Sequence, residues 1–266
     1  MKLKLDCSFP LNFFVISDIH WSKEMKSHEK KFVKTGLLLL KGLLFKEGTN
    51  FLLILGDLGE PTLELLCILK KLADSFDFIL FLSGNHDIFL PPTFSNLLKV
   101  DHTILEINDG IKIIDIEKIE DRELLCQEAK RAGILLLISH RPPYGILDLG
   151  TIEVFSLERG QQHCGDKNLL SKLKFLRQYV PKISYVLFGH VHNQGGRIKK
   201  DKWYKYVNVS PFRKHLWVRG ATVFILRIFK NKEVEEKWKI PFWSLMRKSL
   251  KWRRLTYISK PGFYIE

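Results

Sequence analysis

Five short apolar runs, each followed at once by a polar cluster, constrain this chain more than any other feature of its sequence. The runs are Phe13 to Ile16, Phe51 to Leu55, Phe78 to Leu82, Ile134 to Ile138 and Tyr185 to Phe188. Short and apolar throughout, they read as strands buried on both faces. The clusters that follow are Asp18-Ile19-His20, Gly56-Asp57-Leu58-Gly59-Glu60, Gly84-Asn85-His86-Asp87, His140 and Gly189-His190-Val191-His192. Ligands of open α/β sheets gather at the carboxyl ends of the strands, so groups far apart in sequence can converge there.

The clusters carry the donors of a metal site. Asp18 and His20 lie two apart on an extended segment and point to the same side, and His190 and His192 repeat the spacing. Asp57 offers two carboxylate oxygens and can lie between two cations, and Asn85 adds a neutral carbonyl oxygen. Imidazole and carboxylate without thiolate suit Mn, Fe, Zn, Ni or Co better than calcium or magnesium. Asp18, His20, Asp57, Asn85, His140, His190 and His192 make seven candidates, more than one tetrahedral shell holds. Two divalent transition-metal ions are therefore expected. Such a pair, roughly 3.5 to 4 Å apart, holds a hydroxide for attack on phosphorus and stabilises the entering and leaving oxygens of an in-line displacement.

Taken together and in this order, the five blocks resemble the calcineurin-like metallophosphoesterase superfamily, over roughly residues 11 to 212. The resemblance implies an α/β fold, a four-layer α/β/β/α sandwich of two mixed sheets flanked by helices. It implies that Asp18, His20, Asp57 and His192 hold one metal and Asp57, Asn85, His140 and His190 the other, with Asp57 bridging. It leaves His86 unligated, to stabilise or protonate the leaving oxygen, and makes Asp87 the residue that orients its ring. Glu60 stands where many relatives have Asp, at a position that is not a ligand. His140-Arg141-Pro142-Pro143-Tyr144-Gly145 and Gly160-Gln161-Gln162-His163-Cys164-Gly165 resemble a small prokaryotic branch with H-x-P-P-x-G and G-x-x-H-x-G.

Read singly, Asp18-x-His20 is a turn, Gly56-Asp57 a helix entry and Asn85-His86 a polar turn. Only their joint occurrence points to a metal. Arg141 and His163 are candidate substrate-binding residues: Arg141 has the planar fork that clamps phosphate, and His163 sits in a long turn-rich segment, where it faces either substrate or solvent.

Outside the clusters, residues 28 to 46, Leu63 to Ala73, Asp121 to Ala132 and Lys167 to Gln178 have helical periodicity. Asn108-Asp109-Gly110 between two apolar runs is a hairpin signature, and further strands are expected at Lys205 to Val209, Thr222 to Phe229 and Val234 to Ile240. This places a metallophosphoesterase domain at residues 1–240. Residues 241–266 form a basic aromatic extension, expected to pack on the domain with its aromatics buried, with Arg247, Lys248, Lys251, Arg253, Arg254 and Lys260 among Trp243, Trp252, Tyr257 and Phe263.

The apolar stretch around Phe13 is too short for a transmembrane segment, and cleavage after it would remove the first ligands, so a cytoplasmic protein is expected. Cys7, Cys67, Cys126 and Cys164 lack CxxC spacing and are expected as free thiols. The net charge of +14 favours anionic partners. A phosphoester substrate is one. Nucleic acid bound through the basic surface is the other, and it makes a nuclease the alternative function, although the capping domain of related repair nucleases has no room here. A noncatalytic scaffold is the third reading, disfavoured because every ligand and His86 are present.

Overall fold

The computed structural model describes residues 1–87, 94–152, 160–209, 211–212 and 223–239. In chain order its elements are β1 (Lys2–Leu5), β2 (Leu11–Ile16), α1 (Ser27–Leu39), β3 (Thr49–Leu55), α2 (Leu63–Ala73), β4 (Phe78–Leu82), β5 (Leu97–Lys99), β6 (Ile104–Ile107), β7 (Ile111–Asp115) and α3 (Arg122–Arg131). There follow β8 (Ile134–Ile138), β9 (Leu149–Ile152), β10 (Gly160–His163), α4 (Lys167–Leu176), β11 (Ile183–Phe188), β12 (Ile198–Lys200), β13 (Lys205–Asn208), β14 (Val223–Ile228) and β15 (Val234–Lys239).

Two sheets carry the fold. One has the order β15-β14-β2-β3-β4-β5, the other β1-β6-β7-β8-β11-β13-β12, and β9 and β10 form a separate hairpin. Both large sheets are mixed: β2, β3, β4 and β5 run parallel with β14 antiparallel to β2, while β7, β8, β11 and β13 run parallel with β6 and β12 reversed.

The two-sided burial of β2 and β3 explains the layering, because successive strand residues face opposite ways. Phe13, Val15, Phe51, Leu53 and Leu55 meet Leu105, Ile113, Leu136, Ile138 and Leu187 of the other sheet. Phe14, Ile16, Leu52 and Ile54 turn outward onto Val33, Leu37, Leu65 and Leu69 of α1 and α2. On the far side Leu135, Leu137, Val186 and Phe188 pack under Leu125, Ala129, Leu169 and Leu173 of α3 and α4. The result is the expected four-layer α/β/β/α sandwich.

Local chemistry sets the element boundaries. Thr62, Asp121 and Asp166 cap α2, α3 and α4, each side chain accepting from the first-turn amides, an arrangement worth about 1 kcal/mol apiece. The stretch 28 to 46, expected as one helix, ends its α-helical part at Leu39 and continues as a 3-10 turn over Leu40–Leu43. Asn108 and Asp109 adopt φ of 49° and 44° between β6 and β7, the paired positive values that a type I′ hairpin turn needs. The turn-rich segment after His140 contains a hairpin, β9 with β10. All four cysteines are free. No helix among the described residues is long and apolar enough to cross a membrane. The 241–266 extension lies outside the described residues.

Candidate metal centre

Strand ends bring the five clusters together, and the backbone there is unusual. Asp18, His20, Asp57 and His190 have φ of 57°, 47°, 53° and 68°, a left-handed region that non-glycine residues rarely occupy and that tends to be retained where function needs it. Backbone bonds lock the first two clusters side by side: Asp18 N donates to Gly56 O at 3.1 Å and His20 N to Asp57 O at 2.8 Å. Two glycines permit the approach. A Cβ on Gly84 would stand 2.2 Å from Asp57 Oδ1, and one on Gly189 would stand 2.4 Å from Asp18 Oδ2.

The donors fall into two groups, Asp18 with His20 and His192, and Asp57 with His140 and His190, with the ligand atoms of each group within 4.8 Å of one another. In the first, His20 Nε2 and His192 Nε2 face each other at 3.2 Å, and Asp18 Oδ1 lies 3.3 Å from His192 Nε2 and 3.7 Å from His20 Nε2. In the second, Asp57 Oδ2 lies 3.3 Å from His140 Nε2, the His140 and His190 rings are 5.1 Å apart, and Asn85 Oδ1 comes within 2.8 Å of His140 Nε2. Asp57 Oδ2 is also 3.5 Å from His20 Nε2, so one carboxylate oxygen reaches both groups.

The protonation preferences suit a cation. Burial by itself would raise Asp18, which is fully enclosed, but hydrogen bonds to His192 and His20 outweigh it and hold its carboxyl far below the usual range. Asp57 is likewise lowered, burial being overcome by His140. Burial would lower His140, yet the Asp57 hydrogen bond and the charges of Asp18 and Asp57 raise it to about 9. His190 is lowered by its burial and by the facing His140. His140 Nδ1 lies 2.8 Å from Leu55 O; donating its proton there leaves Nε2 as the ligating atom. Anionic carboxylates, converging ring nitrogens and a carbonyl oxygen form a donor set that fits borderline transition metals.

A consequence for pH follows from His140. Imidazole must be neutral to ligate, so below about pH 9 metal uptake displaces a proton from this ring. Metal affinity is expected to climb between pH 6.5 and 8.5, by up to about tenfold per pH unit for one released proton, and chelator competition measures it. A flat affinity across that range would contradict this. In the metal-free protein the same raised pKa contributes stability that is fully present below the ordinary histidine value and lost as pH rises through about 9.

The remaining predicted residues are placed as follows. His86 is exposed, its ring 5.4 Å from that of His20, and its N–H donates to Asp57 Oδ1 at 3.0 Å. The Asp87 carboxylate turns to backbone amides rather than to the His86 ring: Oδ2 accepts from Asp57 N and Gly84 N at 2.8 Å, and Oδ1 from Gly59 N at 3.1 Å. It ties the second cluster to the third. Glu60 accepts from Lys23 N. The Arg141 guanidinium is held by Glu117 at 2.7 Å and Asp166 at 2.9 Å. His163 sits on β10 with Nδ1 2.8 Å from Asp148 Oδ1.

Three residues that sequence reasoning passed over support the site. Glu117 Oε2 accepts from His140 N at 2.7 Å and Arg141 N at 3.2 Å, fixing the loop that presents His140. Lys172, almost wholly buried, binds the carbonyls of Ile116 and Glu117 behind it. Asp148 is buried and accepts from Gly145 N, Gly165 N and His163, joining the two branch-like motifs. The Asp148 signal was its place between them; Glu117 had none.

The family model for calcineurin-like phosphoesterases matches residues 11–194, more than half of the chain. Among solved structures, purple acid phosphatase PPD1 from yellow lupin superposes with a TM-score of 0.50 at 11% identity, covering 88% of this chain and 52% of the lupin chain. Phosphopantetheinyl hydrolase from Mycobacterium tuberculosis superposes with a TM-score of 0.44 at 14% identity, covering 75% of this chain and 88% of that one. The lupin likeness concerns the fold alone. No curated protein matches the chain.

Proposed function

The chain belongs to the calcineurin-like phosphoesterase family and is a metal-dependent phosphoester hydrolase, and from that premise we propose a dinuclear enzyme acting on phosphodiesters or phosphomonoesters. The observation that carries the dinuclear reading is the position of Asp57 Oδ2, 3.5 Å from His20 Nε2 and 3.3 Å from His140 Nε2.

In this reading Asp18, His20, Asp57 and His192 would hold one divalent transition-metal ion, and Asp57, Asn85, His140 and His190 would hold the other. When bound, the ions supply activation of water for in-line attack and polarisation of the phosphoryl oxygens. The protein's own groups do the rest. His86, exposed beside His20, gives its ring proton to the departing oxygen. Asp87 holds the strand ends that carry Asp57 and His86 through the amides of Asp57, Gly59 and Gly84. The Leu55 carbonyl orients His140, and Glu117 anchors its backbone.

The test is hydrolysis of an aryl phosphodiester, an aryl phosphomonoester and single-stranded nucleic acid, each with Mn, Ni or Zn supplied, alongside metal analysis. The expected outcome is turnover of an aryl ester that chelation abolishes and metal restores, with two ions per chain at saturation. One ion at saturation, or turnover indifferent to chelation, removes the proposal. The net charge of +14 keeps a nuclease as the second reading, and turnover confined to nucleic acid, weakening steeply with salt, would select it.

A further inference from the structure

A cavity of about 410 Å³, within the size range of small-molecule sites, adjoins the His192–Gln194 turn, whose last residue lines it. Both of its walls continue from ligand-bearing segments. One is the loop that leaves His140, reaching the cavity with Gly145, Leu147 and Asp148 and ending on the β9–β10 hairpin with Leu149 and His163. The other leaves the His192–Gln194 turn and passes through Gln194 and Arg197 to Ile198 and Lys199 on the edge strand β12. Gln194 Nε2 donates to Leu149 O at 3.3 Å and so ties the walls together.

Its polar chemistry is cationic. Arg197 and Lys199 lie two apart along extended chain, which puts their side chains on the same side of the strand, and both line the cavity. Among the described residues neither is paired with a carboxylate, in contrast to Arg141, whose guanidinium is taken by Glu117 and Asp166. The single acid in the lining, Asp148, is buried and already accepts from two backbone amides and from His163 Nδ1. With Nδ1 donating to Asp148, the neutral His163 ring presents Nε2 as an acceptor, suited to a ligand hydroxyl, and the ring is steadied against Tyr144 at a centroid distance of 4.8 Å. Leu147 and Leu149 add apolar surface between the polar groups.

We propose that this cavity is an anion subsite for a phosphate group other than the one hydrolysed, so that the preferred substrates are small organic phosphoesters bearing at least two phosphates. The scissile phosphate sits at the metal donors, the organic part lies along Leu147 and Leu149, and the second phosphate is taken by Arg197 and Lys199. Arg supplies a planar fork and Lys a point charge, both suited to phosphate oxygens. The proposal rests on the hydrolase reading, and its test reads binding so that the two fail separately.

The test is calorimetry on the metal-loaded protein with adenosine 3′,5′-bisphosphate and adenosine 5′-monophosphate, which differ by one phosphate. The bisphosphate is expected to bind at least about tenfold tighter. Arg197→Ala/Lys199→Ala should bring the ratio close to one. Lys70→Ala/Lys71→Ala, which removes the same charge from exposed positions on α2, should preserve it, setting local contact apart from long-range steering. Single Lys199→Gln serves if the double variant does not fold. Equal affinities in the unaltered protein, or a preference that survives loss of both cations, would overturn the subsite. Selective binding without hydrolysis of any aryl ester would instead defeat the hydrolase reading and leave the subsite standing.

Discussion

Replacing Asp57 with Asn is expected to lower turnover on the order of a thousandfold, or about 4 kcal/mol of transition-state stabilisation, and to reduce metal content at both donor groups together. The reason is position. Its Oδ2 is within 3.5 Å of ring nitrogens in each group, and the carboxylate is held ionised against the cost of its burial. An amide of the same size removes that charge and can turn N–H donors toward ring nitrogens that should be receiving a cation. The fold should survive, because the amide oxygen can still accept the His86 N–H that Asp57 Oδ1 now accepts. Asp18→Asn is the matched comparison: it belongs to one group and should empty one site first. Metal analysis after dialysis, paired with aryl ester turnover, decides the matter. An Asp57→Asn protein that keeps two ions and full activity, or loses only one ion, rules out a shared ligand.

His86→Asn carries the second large effect. A positioned proton donor contributes about a hundredfold to ten-thousandfold, and turnover should fall by that much while both ions stay bound, since no donor group includes His86. The loss should be greater on an alkyl ester than on an aryl ester, whose leaving oxygen needs little protonation. Equal losses on both would indicate stabilisation of transition-state charge without proton transfer. If the variant sheds metal, His86 is a ligand and the roles within Asn85-His86 must be reversed. Asp87→Asn is a separate kind of change, because its oxygens serve the amides of Asp57, Gly59 and Gly84 and its loss loosens the Asp57 loop itself.

The parts of the site that could be read from sequence are those attached to buried strands. Runs such as Phe51 to Leu55 and Ile134 to Ile138 announce their own burial, and a polar cluster directly after one has to lie at the strand end. The layers were legible for the same reason, and α2, α3 and α4 because apolar periodicity and capping residues agree. What escaped depends on contacts between distant segments. β9 and β10, four residues each and partly polar, carry no period that separates them from loop. Glu117 resembles any acid following a strand until it is seen beneath the His140 backbone. The resemblance gives Asp87 to the ring of His86, its neighbour in sequence, whereas the amides of Asp57, Gly59 and Gly84 at the ends of β3 and β4 take its carboxylate. Arg141 reads from sequence as a phosphate clamp or, more commonly, a surface arginine, and the two carboxylates that hold its guanidinium come from segments 24 and 25 residues away.

The division of the donors between the sheets also sets a timetable for the newly made chain. Asp18, His20, Asp57 and Asn85 follow strands of the sheet that contains β2, β3 and β4, while His140, His190 and His192 follow β8 and β11 of the other. Emerging from the ribosome, the chain displays one half of the donor set long before the second half has been made, and elements completed first begin to fold first. The early half offers carboxylates and a single imidazole, a weak and unselective claim on any metal. In the proposed two-ion reading the donor set is complete only once β11 docks beside β8, so metal uptake is expected to follow that docking and to report it.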